Sequence, residues 1–143
     1  MAERKTEQVQ QPAAADLLFA DDFESGNLSA WSSSEGGNLS VTGSAGILGD
    51  YGLAALVNGM YKQYVVDETP ADEDRYRARF YFDPNGIAMA HGNANTLFYA
   101  LTTGGQTAAS VGFRFSAGDY QLQASLRSDA GSTISTAWVT ITD

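Results

Sequence analysis

Val111–Leu126 reads VGFRFSAGDYQLQASL, and the parity of this stretch decides the fold. Val111, Phe113 and Phe115 fall on one parity with Arg114 on the other, and beyond SAGD the pattern resumes. Tyr120, Leu122, Ala124 and Leu126 stand opposite Gln121, Gln123 and Ser125. A period of two sends alternate side chains to opposite faces of an extended chain, so each half predicts a strand with one apolar face. SAGD has the composition of a hairpin connection, which predicts that the two strands are adjacent and antiparallel.

The same alternation extends outward in both directions. RYRARFYF (75–82) puts Tyr76, Ala78, Phe80 and Phe82 on one face and Arg75, Arg77, Arg79 and Tyr81 on the other, then stops at the turn sequence DPNG. Further strands are predicted at LLFAD (17–21), NLSVT (38–42), YGLAALV (51–57), YKQYVV (61–66), NTLFYALTT (95–103) and ISTAWVTIT (134–142). Asn58-Gly59 predicts a hairpin between YGLAALV and YKQYVV, while TTGGQT and SDAGS predict turns between later strands. With no repeat and no long helical pattern, the expected class is an all-β antiparallel sandwich. Its central core is expected to be Tyr76, Phe80, Phe82, Phe113, Phe115, Leu122 and Leu126. Residues 1–16 lack apolar periodicity and read as a disordered tail or linker, which leaves 17–143 as one β domain.

Composition narrows the function. The 143 residues suffice for a single core, and 15 glycines suit frequent tight turns. A net charge of −9 argues against nucleic acid or an anionic membrane surface as the partner. No apolar run approaches the roughly 18 residues needed to span a bilayer, so membrane insertion is not expected. Zero cysteines exclude disulfides, thiol catalysis and cysteine-ligated zinc. The N-terminal residues have no apolar core of the secretory-signal type.

Acidic residues avoid every strand predicted from Tyr51 onward and collect in turns, whereas a glycosidase needs two carboxyls facing one substrate. No enzymatic activity is therefore expected. DETPADED (67–74) holds five acids in eight residues but lacks the ligand spacing of a calcium loop and reads as a solvated rim. His91 has no second histidine or cysteine to share a metal, and no serine sits in a Gly-x-Ser-x-Gly turn. The row Arg77, Arg79 and Tyr81 has two readings, the wet face of an ordinary strand or a sugar-binding surface. On the second reading Gln123, with Arg114 and Gln121, continues it on neighbouring strands, because sugars stack on aromatics and bond planar polar groups.

FADDFESGNLSAW (19–31) together with RYRARFYFDPNG (75–86) resembles the bacterial laminin-G-like jelly-roll modules of the concanavalin A-like lectin and glucanase superfamily. Asp21, Asp22 and Phe23 match its opening-strand corner and Trp31 its packed tryptophan. The resemblance implies two curved antiparallel sheets, export or surface display, and carbohydrate binding or adhesion within a larger bacterial protein. It also implies a structural calcium near the opening strand, with Asp22 as a participant. The Glu-x-Asp-x-Glu pattern of catalytic relatives does not occur here. On the residues alone, Asp21, Asp22 and Glu24 instead satisfy backbone amides, and SGNLSAW forms one helical turn capped by Ser25. Members of the superfamily continue for several more strands, so the jelly roll is expected to lack its C-terminal strands and to be completed by strand exchange or a partner chain. The leading expectation is a non-catalytic recognition module for glycan or a protein surface. The competing one is a structural or assembly domain without a small ligand, and a degenerate glycoside hydrolase stands third.

Overall fold

A computed structural model describes residues 17–58, 61–69, 71, 73 and 75–142. The expected tail, 1–16, lies outside them, as do Pro70, Asp72 and Asp74 of the acidic loop. The protein is all-β with antiparallel sheets, and among the described residues no helix is long and apolar enough to cross a membrane. It divides into two compact units, Met1–Arg75 and Tyr76–Asp143.

The described part of the first unit holds two two-stranded ladders. β1 (Ser33–Glu35) pairs with β4 (Tyr64–Val66), and β2 (Leu39–Thr42) pairs with β3 (Gly52–Ala55). The hairpin expected at Asn58-Gly59 is therefore replaced: β3 and β4 each pair backwards with an earlier strand. Gln63 helps to set this pairing. Its Oε1 accepts the Asn38 amide at 2.9 Å and its Nε2 donates to the Gly36 carbonyl at 3.0 Å, which ties the β1–β2 turn to the chain entering β4. LLFAD forms no strand.

The second unit is a sheet in the order β5 (Ala94–Leu101), β6 (Thr107–Ser116), β7 (Asp119–Arg127), with β8 (Thr133–Ser135) and β9 (Val139–Ile141) sharing the outer edge of β7. The predicted β6–β7 hairpin forms in full register from Ala109↔Leu126 to Ser116↔Asp119. Its two-residue turn, Ala117-Gly118, has φ of 56° and 93°, the left-handed pair that matches the twist of the flanking strands. The turns from Thr102 to Gln106 and from Ser128 to Ser132 share one design. In each, a glycine amide (Gly105, Gly131) returns to the first carbonyl at 2.8 Å and the ends close with another bond of 2.8 Å. β5 carries an extra residue at Leu97, and β6 one at Ala108.

ISTAWVTIT, expected as one strand, is two. Thr136 interrupts it: its amide bonds the Ala124 carbonyl at 2.9 Å while its Oγ1 takes the Ala124 amide at 3.2 Å, so a hydroxyl replaces a backbone carbonyl in the ladder. RYRARFYF is likewise corrected. It joins no ladder, and Phe80 and Phe82 pack on the sheet instead, against Phe98 (6.0 Å between centroids) and Phe113 (4.9 Å). Alternation reports which side chains are buried against a neighbour, and it is satisfied equally by a strand and by a strap laid over an apolar face.

That face carries Val111, Phe113, Phe115, Tyr120, Leu122 and Leu126, as parity requires. Tyr120 stacks on Phe113, meets Phe115 at a tilt, and donates its hydroxyl to the Ile87 carbonyl at 2.7 Å. The expected core is nonetheless only partly buried. Phe113, 2 % exposed, is the sole buried aromatic among the described residues, whereas Tyr76, Phe80 and Leu126 are 45 %, 44 % and 62 % exposed. The strap covers the hairpin end of the face and leaves Leu126 and its partner Ile134 open.

Candidate functional site

The opposite face of the same sheet is polar, and its make-up follows from register. Arg114 stands between Ala94 and Gln121, Gly112 between Thr96 and Gln123, and Ser110 between Tyr99 and Ser125. Arg114 Nε donates to Gln121 Oε1 at 2.8 Å, the Tyr99 hydroxyl donates to Thr96 Oγ1 at 2.9 Å, and Ser125 and Ser135 share a hydroxyl bond of 2.8 Å. Gln123 Nε2 donates to the Thr136 carbonyl at 2.9 Å.

Trp138 completes this face. Val139 and Ile141 pair with Leu122 and Tyr120 on the apolar side, so parity sends Trp138 and Thr140 to the polar side. The indole reaches across β7 to β6, where the Arg114 guanidinium lies 4.1 Å from the ring centroid. Gly112 makes this approach practicable, since a β-carbon there would lie 3.3 Å from Trp138 Cη2. A cation over an indole face is worth about 0.5–2 kcal/mol, according to its desolvation. With its Nε bonded to Gln121 and its face on Trp138, Arg114 is fixed in direction.

Only part of the predicted sugar row comes together. Arg79 lies over the Tyr81 ring at 5.9 Å, and Arg77 is exposed. Tyr81 belongs to the strap, where it lines an open cleft of about 570 Å³ with Phe80, Phe82, Leu122 and Ile141 on the apolar side of the sheet. Gln123 is in register with Gly112 on the polar side. Arg77, Arg79, Tyr81 and Gln123 therefore do not form one row, because the strap that carries the first three is not a strand of the sheet. Arg114, Gln121 and Gln123 do share a face. Trp138 and Tyr99 are the residues missed, although an aromatic on the threonine parity of TAWVTIT was legible.

At the corner, Asp21 Oδ1 accepts the Phe23 amide at 2.9 Å and Oδ2 accepts Trp31 Nε1 at 2.7 Å. Asp22 Oδ1 takes the Glu24 amide at 3.1 Å and Glu24 Oε1 the Tyr51 amide at 3.0 Å. The helical turn is absent: a single bond from the Trp31 amide to the Leu28 carbonyl closes a turn, and Asn27, in place of Ser25, caps it through the Ser29 amide at 2.8 Å. His91 Nδ1 accepts the Ala117 amide at 3.2 Å and so braces the hairpin turn. Among the described residues no group of three or more His, Cys, Asp or Glu is arranged to hold a metal.

No protein-family model, curated protein or solved structure matches this chain.

Proposed function

We propose that this protein is a non-catalytic recognition module that binds carbohydrate on the polar face of its second unit. The observation that carries the proposal is Trp138, held beside Arg114 at 4.1 Å on a face that also offers Gln121, Gln123 and Tyr99. Sugars are bound by aromatic surface for their C–H faces and by planar hydrogen-bonding groups for their hydroxyls, and this face supplies both. The jelly-roll sandwich over 17–143, and with it export and display in a larger bacterial protein, belongs to the same proposal. The Asp21–Trp31 corner and the antiparallel ladders support it. A structural calcium using Asp22 is part of that resemblance too. Its check is whether calcium raises the melting temperature of the wild type and fails to do so in Asp22→Ala.

The test of binding is a glycan array followed by titration calorimetry, with wild type and Trp138→Ala. Binding by the wild type that Trp138→Ala abolishes, with the hairpin still folded, supports the proposal; equal binding by both proteins refutes this location.

The alternative is an assembly domain without a small ligand. Leu126 and Ile134, paired in register and 62 % and 66 % exposed on the apolar face, favour it. Sedimentation over a range of concentrations would detect the self-association that it requires.

A further inference from the structure

Arg114 is placed unusually for an arginine in a chain of net charge −9. Among the described residues it meets no carboxylate. Its polar contact is Nε to Gln121 Oε1, at 2.8 Å, and its plane rests over Trp138. The acid nearest by register on this face is Asp119, two pairs farther along at the hairpin turn, and it forms no ion pair with Arg114. Among the described residues the only buried side-chain nitrogen or oxygen left without a partner is Asp67 Oδ2, so the terminal nitrogens of Arg114, which make no hydrogen bond to a described residue, are not fully buried.

A guanidinium held in this way is prepared for one class of ligand. Nε and the ring face are occupied, and the two terminal nitrogens remain as a planar fork. That fork matches the two oxygens of a carboxylate, and its orientation requires no further ordering on binding. The surroundings suit a sugar more than a bare anion, because Tyr99, Thr96, Gln123 and Ser125 occupy neighbouring register positions on the same face. The overall negative charge repels polyanions at long range, which selects a ligand in which a carboxylate is sparse among neutral residues.

We infer that the polar face recognises acidic sugars, with Arg114 taking the carboxylate of a uronic acid set in an otherwise neutral oligosaccharide and Trp138 stacking against the adjoining ring. This rests on the carbohydrate-binding proposal above and narrows it. The experiment is calorimetry on the full chain with a glucuronic-acid-substituted xylo-oligosaccharide and with the same oligosaccharide after reduction of its carboxyl to the neutral alcohol. Loss of a charged bidentate pair predicts binding at least about tenfold weaker for the reduced probe. Arg114→Lys keeps the charge but not the fork, and it should remove most of the preference, read as the ratio of the two affinities within each protein. Equal affinity of the wild type for both probes overturns the inference and leaves the broader proposal standing. So does failure of both probes when a neutral glycan on the array binds. A preference that survives in Arg114→Lys overturns it as well, by locating carboxylate recognition elsewhere. If no glycan binds at all, the broader proposal falls and this inference falls with it.

Discussion

Trp31 donates its indole N–H to Asp21 Oδ2 at 2.7 Å while the other oxygen of the same carboxylate accepts the Phe23 amide at 2.9 Å. One side chain thus fixes both the backbone of the corner and the ring that packs on it. Phe23, at φ 64°, is held in a conformation unfavourable for a bulky residue, and its ring stacks on Trp31 at 6.1 Å, with Phe19 edge-on at 4.7 Å. Asp21→Ala should cost about 1–3 kcal/mol, measured by urea unfolding. Trp31→Phe in the same background should show coupling of about 0.5–3 kcal/mol, and additive costs would dissolve the link.

The β6–β7 turn makes a prediction of opposite signs at adjacent positions. Ala117 occupies the left-handed region with a side chain that disfavours it, so Ala117→Gly should raise stability by up to about 1–2 kcal/mol. Gly118→Ala should lower it by a similar amount, although nothing lies within 4 Å of the added carbon, because the conformation alone is costly. Thermal melts of the two variants decide it.

For the apolar face, burial ranks the expected costs. Phe113→Ala should lose about 3–5 kcal/mol. Phe80→Ala, at 44 % exposure, should lose about half as much, and Leu126→Ala, at 62 %, should stay within about 0.5 kcal/mol. Equal losses at Phe80 and Phe113 would mean that the strap is packed as a strand would be.

Gly112 governs the position of the indole. In Gly112→Ala the new carbon, 3.3 Å from Trp138 Cη2, requires a shift of a few tenths of an ångström; in Gly112→Val the ring must leave its place. The valine variant should therefore abolish glycan binding and alter tryptophan fluorescence while retaining the far-ultraviolet β signature. Unimpaired binding would remove Trp138 from the site.

The β6–β7 hairpin was legible because period-two patterning and turn chemistry agreed over 111–126, and its turn at Ala117-Gly118 fell where SAGD put it; β5 and the start of β6 carry extra residues that break the period. What escaped was set by partners distant in sequence. Gln63 contributes to a pairing that Asn58-Gly59 alone would not suggest, and Thr136 breaks a strand with a hydroxyl in a way that composition does not announce. RYRARFYF has strong alternation, yet Phe80 and Phe82 satisfy it by lying on a sheet already formed. The polar face was half legible. Arg114, Gln121 and Gln123 share a face through the hairpin register, but Trp138 reaches them only because Gly112 leaves room across β7.

Both outer borders of the five-stranded sheet are broken: β5 by the extra residue at Leu97, and the β8–β9 side by Thr136 and the residues that follow it. A border of this kind offers an incoming strand only a few consecutive amides before the spacing fails, which limits sheet growth. The molecule can therefore leave Leu126 and Ile134 open to water without also presenting a straight edge on which fibrils would be seeded. Repairing the break, for instance by replacing Thr136 with valine so that the ladder must close through the backbone, would trade that protection for a longer and more adhesive margin.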